Sequence, residues 1–125
     1  MKTKIIHIYS DSGHGWAKVT LKELLKLGIA DKISSCSYYR PYSNISKTDI
    51  YVYLEEDCDF GIYLNAINEN KINIVMRNHH TDKYSKIRGY NCFDGKTLME
   101  NYKKAQESIA KQFIDSHFIF QKVGE

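Results

Sequence analysis

The sequence predicts an α+β protein in which an antiparallel sheet carries helices on one face and a further helix is added at the C-terminus. Several segments alternate apolar and polar residues with the period of a strand. Other segments repeat apolar residues every three or four positions, as an amphipathic helix does. The predicted elements follow in the order β-α-β-β-α-β-α, and the first six match a ferredoxin-like split β-α-β arrangement.

The first strand and the first helix are predicted from the N-terminal segments. Residues 4–10 are rich in β-forming side chains and form the first strand, and a glycine-rich loop follows at residues 11–16. Thr20 and Glu23 have the spacing of a capping box, which begins a helix. Gly28 is expected to end that helix, because glycine readily adopts the left-handed conformation of a helix terminus.

The middle of the chain predicts two more strands and a second helix. Residues 33–40 form the second strand, and residues 41–48 form a long hairpin loop after a proline. Residues 49–54 alternate as a half-buried third strand does. Either Asp57 or Asp59 caps the helix that follows.

The last part of the chain predicts a strand, an irregular segment and a long helix. Residues 71–77 alternate as the fourth strand, and residues 78–92 are polar and aromatic without clear periodicity. A helix begins at Asp94 and ends at about Ser116, and the apolar tail at residues 118–120 packs back onto the body. The helix is expected to bury one stripe, made of Leu98, Tyr102, Ala105, Ile109 and Phe113.

Length and composition predict one domain over residues 1–125, with its core at about 4–90 and a helical extension at about 94–120. The net charge of +3 is too small for a protein that coats nucleic acid. No apolar segment is long enough for a membrane span, and the N-terminus lacks the features of a signal peptide. The odd number of cysteines, three, predicts buried or half-buried free thiols in a reducing cytoplasm.

The use of arginine points to a small local anion site. Only three of the 18 basic residues are arginine, at Arg40, Arg77 and Arg88. Guanidinium offers a rigid fork for phosphate and stacks on aromatic rings, whereas lysine offers a point charge. The alternative is that all three are surface residues packed over tyrosine rings. Arg77 is close in sequence to the pair His79 and His80, which strengthens the prediction of an anion site there.

The glycine-rich loop and an acidic segment supply further candidates. Backbone N–H groups near Gly13 are expected to hold an anion, although the loop is neither a Walker A loop nor a dinucleotide fingerprint. Trp16 either fills the core or stacks on a base. Glu55 and Glu56 either favour a helix N-terminus or contact a ribose hydroxyl or a base amine.

A metal site of His14, a carboxylate and one histidine of the pair is conceivable, but no recognised ligand spacing is present, so neither a metal nor a cofactor is predicted. No catalytic residue is predicted. The predicted ligand-binding residues are Ser10, Asp11, Gly13, His14, Trp16, Tyr38, Arg40, Glu55, Glu56, Arg77, His79, His80, Arg88 and Tyr90.

Several motifs between residues 5 and 90 carry a resemblance. They are His7, Tyr9–Asp11 and Gly13–Trp16, then Leu24–Ile29, then Ser37, Tyr38 and Arg40, then Tyr53–Asp59, then His79–Thr81, and finally Ile87, Arg88 and Tyr90. In this order they resemble a family of small uncharacterised proteins of phages, prophages and plasmids. Ser12 stands where the family has proline, the loop at 41–48 is longer, and the segment from 91 onward is additional. The resemblance implies a mobile-element setting, where small proteins often counter host defence.

The sequence therefore predicts a phage-type anti-defence protein that sequesters a phosphate-bearing nucleotide signal in the host cytoplasm. A small phosphodiester hydrolase or nuclease that uses histidine and arginine remains an alternative. A protein–protein inhibitor of a host defence complex is a second alternative. Membrane partners and extended nucleic-acid binding are not expected. A homo-oligomer stays open, because a sheet edge or the C-terminal helix offers a surface for one.

Overall fold

The computed structural model describes residues 2–41 and 50–124, except for the side chains of residues 109, 113 and 115–124. The described strands are β1 (Thr3–Ser10), β2 (Gly15–Thr20), β3 (Tyr38–Pro41), β4 (Ile50–Glu55), β5 (Asn73–His80) and β6 (Asn91–Cys92). The helices are α1 (Leu21–Lys26), α2 (Phe60–Glu69) and α3 (Gly95–Gly124), with short 3-10 turns at Ala30–Lys32 and Lys86–Gly89. The predicted hairpin loop at 41–48 falls almost wholly outside the described residues.

The strands form one sheet in the order β5-β1-β2-β4-β3-β6. Strand β5 runs parallel to β1, and the other described pairs are antiparallel. The mixed α+β class is thus confirmed. The ferredoxin-like order is not, because residues 15–20 form a strand in a hairpin with β1 and not the approach to a helix.

Two strand boundaries differ from the sequence prediction in ways that affect the site. Residues 34–37 form a turn, so β3 begins only at Tyr38. Strand β5 continues to His80, so both histidines of the pair belong to the strand and not to the loop after it. The parallel register places His80 opposite Ser10 and His79 opposite Tyr9, which brings both histidines to the end of β1.

The helices cover one face of the sheet and form the main core with it. Leu21 and Leu24 from α1 and Tyr63 from α2 pack with Val52 and Leu54 of β4, and all five are fully buried. Burying such apolar side chains is the main source of stability for a domain of this size. The first half of α3 joins this core through Leu98, Met99 and Tyr102.

The predicted cap of α1 is confirmed, whereas the predicted aspartate cap of α2 makes no capping hydrogen bond. The Thr20 hydroxyl accepts a hydrogen bond from the Glu23 N–H at 3.2 Å, and Gly28 follows the helix with a φ of +73°. Asp59 stands before α2, but its carboxylate accepts hydrogen bonds from Ser34 and Ser37 and caps nothing. This carboxylate therefore attaches the turn before β3 to the start of α2.

Helix α3 is longer than predicted, and its C-terminal part includes the tail expected to fold back. Leu98 is buried and Tyr102 is half-buried, as the stripe predicts, whereas the side chains of Ile109 and Phe113 lie outside the described part of the chain. Among the described residues, no helix is both long enough and apolar enough to cross a membrane.

Candidate functional site

A pocket of about 480 Å³ opens on the face of the sheet opposite the helices. The segment at residues 81–90 covers part of this face, where Trp16, Tyr53 and Ile87 form a second, smaller core. Strands β1, β2, β4, β3 and β5 all contribute side chains to the pocket. The lining residues are Tyr9, Ser10, Lys18, Arg40, Tyr53, His79, His80, Thr81, Lys83, Tyr84, Ser85, Lys86, Ile87 and Tyr90.

The pocket lining is basic and aromatic. Four lining residues are cationic, namely Lys18, Arg40, Lys83 and Lys86, and none of the lining residues is a carboxylate. Within residues 2–41 and 50–124, the ion pairs of lysine and arginine involve Lys4 and Arg88 and none of these four lining cations. An uncompensated group of cations beside apolar rings produces a local positive potential that favours anions.

Two of these cations are held against tyrosine rings. The Lys18 ammonium lies 3.9 Å from the centre of the Tyr51 ring and 5.9 Å from that of Tyr9. The Arg40 guanidinium lies over the Tyr90 ring and donates a hydrogen bond to the Tyr90 hydroxyl at 2.9 Å. That hydrogen bond raises the pKa of Arg40 above its usual value. Both cations are thus oriented before any ligand binds.

The two histidines at the end of β5 contact different partners. His79 Nε2 is hydrogen-bonded to His7 Nδ1 at 2.9 Å, and the Tyr9 ring stacks on His79 with centres 4.7 Å apart. His80 Nδ1 is hydrogen-bonded to Ser10 Oγ at 3.0 Å, and His80 Nε2 to Asp82 Oδ1 at 3.1 Å. A carboxylate only accepts, so Nε2 of His80 donates to Asp82 and Nδ1 faces the Ser10 hydroxyl.

A buried carboxylate organises the glycine-rich turn between β1 and β2. Asp11 accepts two hydrogen bonds from the Arg88 guanidinium, at 2.7 and 2.9 Å. It also accepts from the backbone N–H groups of Gly13, His14 and Ser85. The amides that the sequence offered to an external anion therefore hold the protein's own carboxylate. A methyl group on Gly13 would lie 2.8 Å from Arg88 Nη2, so a larger residue there would displace the guanidinium from its present position.

Asp11 should make the protein sensitive to acid. The Arg88 guanidinium holds the pKa of Asp11 well below its usual range. A carboxyl group whose pKa is lower in the folded state than in the unfolded state stabilises the fold. This stabilisation is fully present above the unfolded-state pKa of about 3.9, and it decreases as the pH falls from there towards the folded-state pKa. In urea unfolding at pH 7 and pH 3, we expect Asp11→Asn to be less stable than wild type at pH 7 and to lose less on acidification. The exposed control Asp31→Asn should follow wild type, and an unchanged acid dependence in Asp11→Asn would refute the role of this ion pair.

The predicted ligand-binding residues separate into three groups. Those that line the pocket are Ser10, Arg40, His79, His80 and Tyr90. Those that build the support beside it are Asp11, Gly13, Trp16, Tyr38 and Arg88. His14, Glu55 and Glu56 do not line the pocket, and His14 Nδ1 is hydrogen-bonded to Glu55 Oε1. Arg77 is exposed on β5 opposite His7 and also lies outside the pocket lining.

Of the two roles that the sequence leaves open for Trp16, the structure shows core filling. Trp16 is only 1% exposed, with Tyr38 edge-on to its ring and the Arg88 guanidinium over it, so no open face remains for a base. Tyr84 is 80% exposed, and the centre of its ring lies 4.8 Å from the same guanidinium. Tyr84 lines the pocket, whereas Trp16 does not.

Three lining cations were missed by sequence reasoning, and one of them had a signal. Lys18 alternates with Ala17 and Val19 in the pattern of a half-buried strand, and reading residues 15–20 as β2 would have placed its side chain beside Trp16 on one face. Lys83 and Lys86 lie in a segment without periodicity. No local pattern predicts that this segment folds over the sheet.

The cysteines are not the buried thiols that the sequence predicted. Cys36, Cys58 and Cys92 are all free and exposed. Interactions with the Cys36 thiol and with Glu55, together with desolvation, raise the pKa of the Cys58 thiol to about 11. A thiol with a raised pKa is mostly protonated at neutral pH and is therefore a weak nucleophile. None of the three cysteines lines the pocket.

Comparison with known proteins finds no matching family model, no matching curated protein and no matching solved structure.

Proposed function

We propose that the protein binds a small phosphate-bearing, nucleotide-like anion in the pocket and holds it without cleaving it. The observation that carries this proposal is the set of four lining cations, for which no carboxylate partner occurs in the described parts of the chain. Such a site attracts a ligand of opposite charge, and a rigid guanidinium such as that of Arg40 suits phosphate oxygens.

The tyrosines support a ligand that also has a planar ring. Tyr9, Tyr53, Tyr84 and Tyr90 line the same pocket as the cations. A nucleobase stacks well on such rings, and the contact tolerates different bases. The volume of about 480 Å³ lies within the usual range for small-molecule sites. Phosphate contacts and base stacking can therefore act together on one ligand.

The resemblance to phage and plasmid proteins supports a biological setting for this binding. We propose that the protein counters host defence in the host cytoplasm by sequestering a nucleotide immune signal. Sequestration requires that the protein bind the signal tightly and does not require that it cleave the signal. The cations and tyrosine rings of the pocket provide the contacts for such binding. The hydrogen bond from Arg40 to Tyr90 and the cation–π contact of Lys18 with Tyr51 hold both side chains in place. These side chains therefore lose less conformational entropy when a ligand binds.

A hydrolase is the second candidate, and one specific contact favours it. Ser10, His80 and Asp82 form a continuous hydrogen-bonded chain at the edge of the pocket. In such a chain, histidine takes the serine proton as the hydroxyl attacks the phosphorus of a phosphodiester, and it gives that proton to the alcohol that leaves as the P–O bond breaks. The carboxylate stabilises the imidazolium between these steps, and water then releases the phosphoryl group from serine in the same way. Asp82 is fully exposed, so water competes for its oxygens. For this reason we place hydrolysis second.

One experiment separates the two candidates. The protein is titrated by calorimetry with a panel of cyclic nucleotides and ADP-ribose derivatives, and the bound ligand is then released by heat and analysed by chromatography. We expect one panel member to bind and to be recovered intact. Recovery of a cleaved product would overturn sequestration, and the absence of binding throughout the panel would remove the support for the nucleotide proposal.

The Ser10→Ala variant provides a second test of the two candidates. Its control is Ser12→Ala, at an exposed position in the turn that follows Ser10. If the protein only binds, Ser10→Ala should change the affinity by less than about tenfold, which corresponds to about 1.4 kcal/mol. If it hydrolyses its ligand, Ser10→Ala should abolish product formation while Ser12→Ala retains it. Measuring the affinity and the product for both variants decides between these outcomes.

A further inference from the structure

A second group of polar side chains lies where the β1–β2 turn meets the end of β4. One nitrogen of His14 and one carboxylate oxygen each from Glu55 and Asp57 lie within 4.8 Å of one another. None of the three residues lines the pocket, so the group is separate from the proposed anion site.

The backbone positions these three residues firmly. Glu55 is the last residue of β4 and is paired with Trp16 of β2, and the Glu56 N–H donates to the Gly15 carbonyl at 3.0 Å. The Asp57 N–H donates to Glu55 Oε2 at 2.9 Å, which holds the following turn against the end of the strand. The turn with His14 and the turn with Asp57 are therefore both fixed relative to Glu55.

The charges of this group are poorly balanced. The Glu55 side chain is only 10% exposed, and its ion-pair partner in the described chain is His14, with Nδ1 at 3.3 Å from Oε1. The carboxylate of Asp57 is close by, and neither carboxylate is paired with lysine or arginine within the described ranges. Burying a carboxylate beside a second one is costly unless a cation compensates them.

We propose that His14, Glu55 and Asp57 bind a divalent transition-metal ion of the Zn²⁺ class. One imidazole nitrogen and two carboxylate oxygens form a donor set that Zn²⁺ accepts, and three protein ligands leave a coordination position for water. The imidazole favours such an ion over Mg²⁺ and Ca²⁺, which prefer oxygen donors. Glu55 provides the fixed ligand, and the more exposed His14 and Asp57 side chains close onto the ion by rotation.

The test measures binding of the metal alone to the full chain freed of any affinity tag. Calorimetry with ZnCl₂ should find one ion per chain, and millimolar MgCl₂ should not displace it. Asp57→Asn and His14→Ala, both at exposed positions, should weaken Zn²⁺ binding at least tenfold. Glu56→Gln, the matched control at the neighbouring carboxylate, should bind as wild type does. Equal binding by Asp57→Asn and Glu56→Gln, or the absence of stoichiometric binding by wild type, would overturn the proposal.

The thiols of Cys36 and Cys58 require a separate control. Both are exposed, and thiolates in general bind soft metals. The Co²⁺-substituted protein should lack the absorption of thiolate ligands, and Cys58→Ser should bind Zn²⁺ as tightly as wild type. A thiolate band that disappears in Cys58→Ser would assign the metal to the cysteines and overturn the assignment to His14, Glu55 and Asp57.

Discussion

Replacing Lys18 by glutamate should weaken binding of the nucleotide-like anion at least tenfold, which corresponds to about 1.4 kcal/mol or more. Lys18 lies in the middle of the sheet, opposite His7 on β1 and Tyr53 on β4, and its ammonium is held against the Tyr51 ring. The substitution removes one positive charge from the pocket and adds a negative one. The resulting repulsion acts in a partly apolar site, where water screens charges less than at the open surface.

The matched control is Lys22→Glu, which changes the net charge equally at an exposed position on α1, on the opposite face of the sheet. Calorimetry should find near wild-type affinity for Lys22→Glu at physiological salt, and thermal unfolding should establish that both variants are folded. Wild-type binding should weaken as the salt concentration rises, since ions screen the attraction. If the two variants bind equally well, the ligand does not contact the pocket defined by Lys18.

Replacing Asp59 by alanine should lower the free energy of unfolding by about 3 kcal/mol, because hydrogen bonds to a charged group are lost and their buried donors remain without a partner. Asp59 is 2% exposed, and Oδ2 accepts from the Ser34 N–H, the Ser34 hydroxyl and the Ser37 hydroxyl. The Ser37 hydroxyl also accepts from the Glu55 N–H at 3.0 Å. One carboxylate therefore joins the turn before β3, the end of β4 and the start of α2.

Urea unfolding followed by circular dichroism measures this loss, with Asp31→Ala on the exposed surface as the control. We expect Asp31→Ala to remain within about 0.5 kcal/mol of wild type, as most surface substitutions do. A loss below about 1 kcal/mol for Asp59→Ala, comparable with that of the control, would contradict the role given to this carboxylate.

Local patterns predicted the elements whose signals lie within a few residues. Thr20, Glu23 and Gly28 marked the limits of α1 because capping depends on neighbouring backbone groups. The alternation of residues 49–54 marked β4 within one residue. Strand β2 was missed because two glycines and a tryptophan resembled a ligand-binding loop, which hid the alternation from Trp16 to Thr20.

The candidate site was predicted less completely, since most of it depends on long-range packing. The sequence predicts that Arg88 binds phosphate, yet its guanidinium is occupied by Asp11, 77 residues away in sequence. Trp16 was given two roles, and its burial of 99% depends on the cover formed by residues 81–90. Both histidines of the pair line the pocket, because β5 continues to His80 and its register brings them beside the end of β1. That they bind a ligand stays a prediction.

The parallel pairing of β1 with β5 also sets an order of assembly. Strands β1 and β2 are joined by a short turn, whereas Ser10 and His80 are 70 residues apart in sequence. Closing a loop of that length costs chain entropy before the contacts within it offset the cost, so this pairing should be slow to form. Because the pocket takes side chains from both strands, a folding intermediate that lacks the β1–β5 contact cannot bind the ligand. Ligand binding during refolding would therefore report the late docking of β5 and not the earlier formation of the hairpin.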